Sequence, residues 1–448
     1  MALMSRSAIT KTTAIILAVI IIVVAVGVGV GLYIMAGPKP KETIRVGFSI
    51  SLSGKYKRTG QYSLLGFRIW QEWVNEQGGI YVKEYGRKLK VELVYYDDKS
   101  DKETAIKLYK KLIEEDKVDV CFCPYSSHLT YAITPVTEAY GVLTLSHGGA
   151  SVKIFQRGLK YVIQVISPTS RYLVDALECL KAYLDDHPEK FPGYPDTKPK
   201  VAVIYAKTEF PISCAEAAIG WCMRQGWPVV LNEGYPKAFT PEQIASLVIK
   251  ARDAGADILI GGGYLPDAEE IVKQMKANDV NFKFCSFIVG VAMPDFAEAL
   301  GDDANYFTGP TQWEPGLNYA GTDEYPFYGM TEDEFTELCL ELDKEVLGED
   351  IEAPEYHIAE ACAAGLVLQA LIEKAGTLDN DALREAANEL KITTFFGKFE
   401  IDPGNGLQVG HDMVVIQWIG GKKEIVWPPE VATHDLVFPM PTWAERGA

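Results

Sequence analysis

The chain has 448 residues, 48% of them apolar, and a formal net charge of -18 from 43 Lys+Arg against 61 Asp+Glu. That length exceeds one ordinary core and predicts two or three domains. The acidic balance argues against nucleic acid and anionic membrane surfaces as partners.

Residues 14–36, AIILAVIIIVVAVGVGVGLYIMA, carry no charge. At ~1.5 Å per residue a helix of this length crosses a ~30 Å hydrocarbon layer. The stretch reads as a membrane anchor, with 1–13 as a cytoplasmic N-terminus and 37–43 as the linker to an extracytoplasmic domain. The alternative is a secretory signal cleaved at the small-residue site Ile34-Met35-Ala36, which would release the domain.

After Thr43 apolar runs alternate with helical patterns. IRVGFSIS, KLKVELVYY, VDVCFC and VLTLS read as strands, separated by helices over 60–78, 103–116 and 128–140. The rhythm restarts with the strand YVIQVIS and the helix RYLVDALECLKAYL. The strands KVAVIYAK, PVVLNEGY, ADILIGGG and KFCSFIV follow, again with helices between them. Such alternation predicts parallel sheets covered on both faces, which explains the near-continuous apolar strands. Beyond Gly309 a Gly/Pro/aromatic connection leads to three helical stretches, then to extended runs ending in MVVIQWIGGKKEIVWP, whose GGKK suits a hairpin. The fold class is therefore α/β, with two Rossmann-like lobes in series. Lobe 1 takes 44–166 and 316–391, and lobe 2 takes 167–312 and 392–448. The chain then crosses three times between lobes, which makes a hinge.

Ligands of open parallel sheets bind outside the carboxyl ends of the strands. In the first lobe those loops are SLSGKYKRTG, YYDDKSD, CPYSSH and SHGGAS. Their glycines let backbone approach a ligand, and the helix N-termini behind them favour an anion. SLSGKYKRTG has neither the GxxxxGK[ST] nor the GxGxxG spacing, so no nucleotide cofactor is implied. YDDKSD is open to a metal reading or to ordinary helix capping. The eight cysteines make no CxxC pair, and no metal spacing appears. No GxSxG elbow accompanies His128 and His147, and no catalytic set stands out. Phe210 and Tyr264 offer aromatic walls at the matching edges of the second lobe.

IRVGFSISLSGKYKRTG, WQEWVNEQGGI, the paired acids after YY, PYSSHLTYAITPVTEAYGV and GGGY, in this order, resemble a type I periplasmic binding protein. The group most resembled is the leucine/isoleucine/valine-type solute-binding component of ABC importers. The resemblance runs from about Ile44 to about Trp443. It implies capture of a small solute by hinge closure and delivery to permease subunits driven by a separate ATPase. A ligand-sensing ectodomain and a hydrolase are the competing readings.

Carried over residue by residue, the resemblance implies a ligand set of Thr59, Ser126, Ser127, Gly148, Gly149, Ala150, Phe210 and Tyr264. Ser127 matches the serine that binds the amino-acid carboxylate, and Ser126 is the helix cap beside it. Ala150 replaces the usual threonine, Thr59 a tyrosine, and Phe210 a tyrosine. The acid that pairs with the ligand ammonium should fall near 287–290, which reads FIVG. Either Asp295 or Glu314 takes its place, or the solute is a small carboxylate or amide rather than an α-amino acid.

Overall fold

The computed structural model describes residues 41–446. The expected anchor at 14–36 and the stretch at 1–13 lie outside the described residues. Among the described residues no helix is long and apolar enough to cross a membrane.

The first set of elements is β1 (Thr43–Ile50), α1 (Lys57–Glu76), β2 (Ile80–Val82), β3 (Arg87–Asp97), α2 (Lys102–Glu114), β4 (Val120–Phe122), α3 (Ser127–Tyr140), β5 (Thr144–Ser146), α4 (Val152–Phe155) and β6 (Val162–Gln164). A second set follows: α5 (Tyr172–Asp186), β7 (Val201–Ala206), α6 (Glu209–Gln225), β8 (Val229–Tyr235), α7 (Pro241–Asp253), β9 (Ile258–Gly262), α8 (Leu265–Ala277), β10 (Phe284–Phe287), α9 (Pro294–Leu300) and β11 (Thr308–Thr311). The chain closes with α10 (Glu332–Leu347), α11 (Tyr356–Ala375), α12 (Asn380–Asn388), the small hairpin β12 (Ile392–Thr394) and β13 (Gly397–Phe399), then β14 (Val414–Ile419) and β15 (Lys422–Trp427).

Two large sheets result. One has the order β2-β3-β1-β4-β5-β6 and the other β15-β14-β11-β10-β9-β7-β8. Each contains the same reversal: β1 lies between β3 and β4, as β7 lies between β8 and β9. The β1–β4–β5–β6 and β8–β7–β9–β10–β11 runs are parallel. Their strands are buried on both faces, as β1, β4, β9 and β10 show. The reversal opens a crevice at the carboxyl ends of the strands. β14 pairs antiparallel with β11 and β15 antiparallel with β14, continuing the second sheet to its edge.

Helix α11 belongs with the first sheet, because it packs along α1. Two glycines bring the helices together. A Cβ on Gly66 would lie 2.1 Å from the Ile358 carbonyl oxygen, and one on Gly365 would lie 2.2 Å from the Trp70 ring. This contact points the first turns of α11 at the crevice.

Three crossings join the lobes at one place. Ser167 N–H donates to Gln312 Oε1 (2.9 Å), and the Ser167 hydroxyl donates to the His411 carbonyl (2.9 Å). The Gln312 amide donates to the Tyr172 hydroxyl (2.7 Å), and Met413 N–H donates to Asp175 (2.9 Å). The sequence reading moved the chain into lobe 2 at 392. The third crossing falls instead at 408–413. Gln164 N–H holds the Gly406 carbonyl (2.8 Å) and Leu407 packs with Val162, so this stretch stays beside β6.

Candidate functional site

The acids after β3 anchor the first loop. Buried Asp98 accepts from the hydroxyls of Ser49 (2.9 Å) and Ser51 (2.5 Å) and from Ser100 N–H (2.9 Å). Asp97 accepts from Leu52 N–H (2.9 Å), the Ser53 hydroxyl (2.7 Å) and Lys99 N–H (2.8 Å). These serine and amide donors hold the Asp97 carboxyl below its ordinary range, although its partial burial pulls the other way, whereas burial pushes Asp98 up. The metal reading of YDDKSD gives way to this role. Among the described residues no cluster of acids, histidines and cysteines is arranged to hold a metal ion.

At the start of α3 the two serines divide the work. The Ser126 hydroxyl accepts from Leu129 N–H (3.4 Å), which makes Ser126 the cap. Its backbone lies at φ 82°, ψ 141°, close to a region that only glycine enters freely. The Ser127 hydroxyl accepts from Ser151 N–H (2.9 Å) and ties the loop after β4 to the loop after β5. Among the described residues no histidine hydrogen-bonds to this hydroxyl to activate it. His147, fully buried against Phe67, has both ring nitrogens without a partner, and burial pushes its pKa down to about 3. It is a neutral core residue.

A cavity opens at the carboxyl ends of both sheets. Tyr125, Ser126 and Ser127 after β4, Gly148 after β5 and Ile166 after β6 line it from one side. Tyr172 of α5, Phe210 after β7, Tyr264 after β9 and Val289 after β10 line it from the other. Tyr356, His357 and Glu360, on the first turns of α11, complete the wall. The volume is about 10 Å³, on a scale where one water needs ~10–15 Å³. A larger solute therefore enters by separation of the lobes, which meet closely here. Arg58 Nε lies 3.2 Å from Asp295, Lys55 Nζ 3.8 Å from Asp267, and Lys153 Nζ 3.0 Å from Glu216, each pair spanning the two sides.

Of the expected ligand residues, Ser126, Ser127, Gly148, Phe210 and Tyr264 line this cavity. Thr59, Gly149 and Ala150 stand behind it. The Thr59 hydroxyl donates to the Tyr56 carbonyl (3.1 Å). The tyrosine of that loop is Tyr56 itself, its ring 5.2 Å from Tyr264 and 5.9 Å from Tyr125. A Cβ on Gly149 would meet the Thr130 hydroxyl at 2.6 Å, and the Ala150 carbonyl accepts from Thr169 N–H (2.9 Å). Gly148 abuts Tyr125, where a Cβ would stand 2.8 Å from the ring.

Both acids expected to replace the missing one are engaged elsewhere. Asp295 pairs with Arg58 and accepts from the Tyr62 hydroxyl (3.3 Å). Glu314 pairs with Lys423 (2.7 Å). The acid at the cavity is Glu360, which sequence reasoning missed. It is 2% exposed, and its Oε1 has no hydrogen-bond partner. Burial, then repulsion from Glu355, pushes its carboxyl well above the usual range. Nearby, the Tyr125 hydroxyl and His357 Nε2 lie 3.0 Å apart, and His357 Nδ1 lies 2.8 Å from Glu355. The Glu355 carboxylate accepts from His357 Nδ1–H and so fixes the orientation of the ring. The signal was in the sequence: EYHIAEA places two acids and a histidine at the head of a helix whose next eight residues, 361–368, are all apolar or glycine. The cavity-facing tyrosines 125, 172 and 356 carried no such mark.

Val289 carries further strain. It sits at φ 60°, ψ -71°, and Gly290 N–H donates across it to the Ile288 carbonyl (2.7 Å). This is a γ-turn with positive φ, rare for any side chain and costly for a β-branched one. It turns the chain where the sequence reading expected an acid.

The family profile described as "Periplasmic binding protein" matches residues 43–423. The Leu/Ile/Val-binding protein homolog 7 of Brucella abortus (strain 2308) is 25% identical over 419 residues, 91% of this chain and 97% of its own. An amino acid binding protein of Pseudomonas aeruginosa is 25% identical over 375 residues, 80% of this chain and 87% of its own. The leucine binding protein LivK of Thermotoga maritima superposes with a TM-score of 0.67 at 19% identity, over 86% of this chain and 97% of that one. A solute binding protein of an ABC transporter from Rhodopseudomonas palustris HaA2, in complex with p-hydroxybenzoic acid, gives 0.67 at 18% identity over 90% and 99%. Two sheets with matching reversals, a triple crossing and a cavity between them agree with that profile: the chain belongs to the periplasmic binding protein family.

Proposed function

We propose that this chain is the extracytoplasmic solute-binding component of an ABC importer. It captures a compact amino acid, or a carboxylate- or amide-bearing solute, by hinge closure and delivers it to a membrane permease. One observation carries this reading: a small cavity walled by both lobes at the carboxyl ends of both sheets. A ligand that touches both lobes favours the closed state by its extra contacts there. The relatives are consistent with it, since one is named for leucine and another holds p-hydroxybenzoic acid.

Ser126, Ser127 and Gly148 receive the solute at the N-terminus of α3, where backbone amides favour an anionic or carbonyl end. Phe210 and Tyr264 cover it from the second lobe. Residues 14–36 anchor the domain to the membrane, a reading supported by the uncharged length of that stretch.

The test is a thermal-shift screen of small metabolites, followed by small-angle scattering with each hit. A hit should raise the melting temperature, shrink the radius of gyration and survive unconsumed. Turnover of the hit, or a shape indifferent to it, overturns the reading.

A further inference from the structure

We infer that the solute carries an ammonium group and that Glu360, on α11 of the first lobe, is its charge partner. This rests on the solute-binding reading above and narrows it to a ligand class. The acid that would serve this role is missing from 287–290, and both substitutes considered from sequence are paired elsewhere. Among the described residues, Glu360 alone presents a buried carboxyl oxygen without a partner at the cavity wall.

The surroundings select the charge. Among the described residues no lysine or arginine lines the cavity. Tyr125, Tyr172, Phe210, Tyr264 and Tyr356 do, and aromatic rings around a cation add attraction as the water is excluded. A buried carboxylate left unpaired is costly, and a ligand ammonium supplies the missing partner. Charged groups of the wall come from the first lobe alone, since the second contributes Tyr172, Phe210, Tyr264 and Val289. The ammonium is therefore held on the open first lobe before the second closes over it.

The proton balance follows. Burial and Glu355 favour the protonated carboxyl while the cavity lacks a cation. The groups facing Glu360 are Glu355, Tyr125, Tyr172 and Tyr356, with His357 on the preceding turn. An arriving ammonium ionises Glu360, and the displaced proton goes to buffer. A solute bearing only a carboxylate would instead keep Glu360 protonated as a donor.

The test uses matched probes: the standard amino acids, the amines left when each loses its carboxylate, and the acids left when each loses its amine. Thermal shift finds the hits and calorimetry in buffers of different ionisation enthalpy counts protons. The expected hits carry an ammonium and release a proton on binding. Glu360→Gln should weaken them by at least about 100-fold, the scale of breaking a buried charge pair, while Glu360→Asp restores part of the loss. The unliganded Glu360→Gln protein should melt no lower than wild type, which separates loss of binding from loss of fold. Hits confined to the acids, no proton release, or undiminished affinity in Glu360→Gln overturn the assignment while leaving solute capture intact. A panel with no hit at all, extended by the metabolite screen, counts against both.

Discussion

Gly365→Ala tests how the site is positioned. In an uncrowded helix this change stabilises by about 1 kcal/mol, because alanine is the better helix former. Here the added Cβ would stand 2.2 Å from Trp70 Cγ and Cδ2 and 2.7 Å from Cε3. Carbon atoms pack at ~3.5–4.0 Å, so α1 and α11 must part by about 1.3–1.8 Å unless the indole moves. The indole has little freedom: it is fully buried, with Phe122 edge-on at 5.8 Å. Overpacking of this kind costs about 1–3 kcal/mol. Set against the helix gain of about 1 kcal/mol, the net loss is up to about 2 kcal/mol, and at ~2–4 °C per kcal/mol the melting temperature should fall by up to about 8 °C. Glu360 lies five residues upstream, about 7.5 Å along the axis, so the same displacement carries it off the cavity wall. Solute affinity should fall with stability, and Trp70→Phe should rescue part of both. A Gly365→Ala protein that melts higher than wild type and binds unchanged would refute the reasoning, because the sign would be that of an open helix face.

The two serines of α3 should part company. Ser127→Ala leaves the Ser151 amide unsatisfied inside the protein and should cost about 1–3 kcal/mol in denaturant unfolding, with a loss of solute affinity on top. Ser126→Gly should instead gain up to about 1 kcal/mol, since glycine relieves the positive φ and loses only a few tenths as a cap. Acid should destabilise the protein through His147. Its folded pKa of about 3 lies below the unfolded value of ~6.5, so nothing is lost above pH 6.5. Below that the unfolded chain takes up a proton that the folded one refuses, at up to ~1.4 kcal/mol per pH unit until about pH 3. Urea midpoints at pH 7 and pH 4.5 should show His147→Phe losing about 2 kcal/mol less than wild type; equal losses would clear His147 of the effect.

Local pattern determined much of this protein. Alternation of apolar strands with amphipathic helices specifies parallel sheets, because only strands covered on both faces read as unbroken apolar runs. The Ser/Gly loops at the strand ends were legible too, and Ser126, Ser127, Gly148, Phe210 and Tyr264 do line the cavity. Tertiary structure decided the rest. Thr59, Gly149 and Ala150 were placed by motif position, but the Thr59 hydroxyl is spent on the Tyr56 carbonyl, Gly149 abuts Thr130, and the Ala150 carbonyl takes the Thr169 N–H of the second lobe. Glu360 comes from a helix more than two hundred residues beyond the serines that line the same cavity. No local periodicity can report such a meeting, because it depends on how closely α11 settles on α1, and two missing side chains, at Gly66 and Gly365, set that distance.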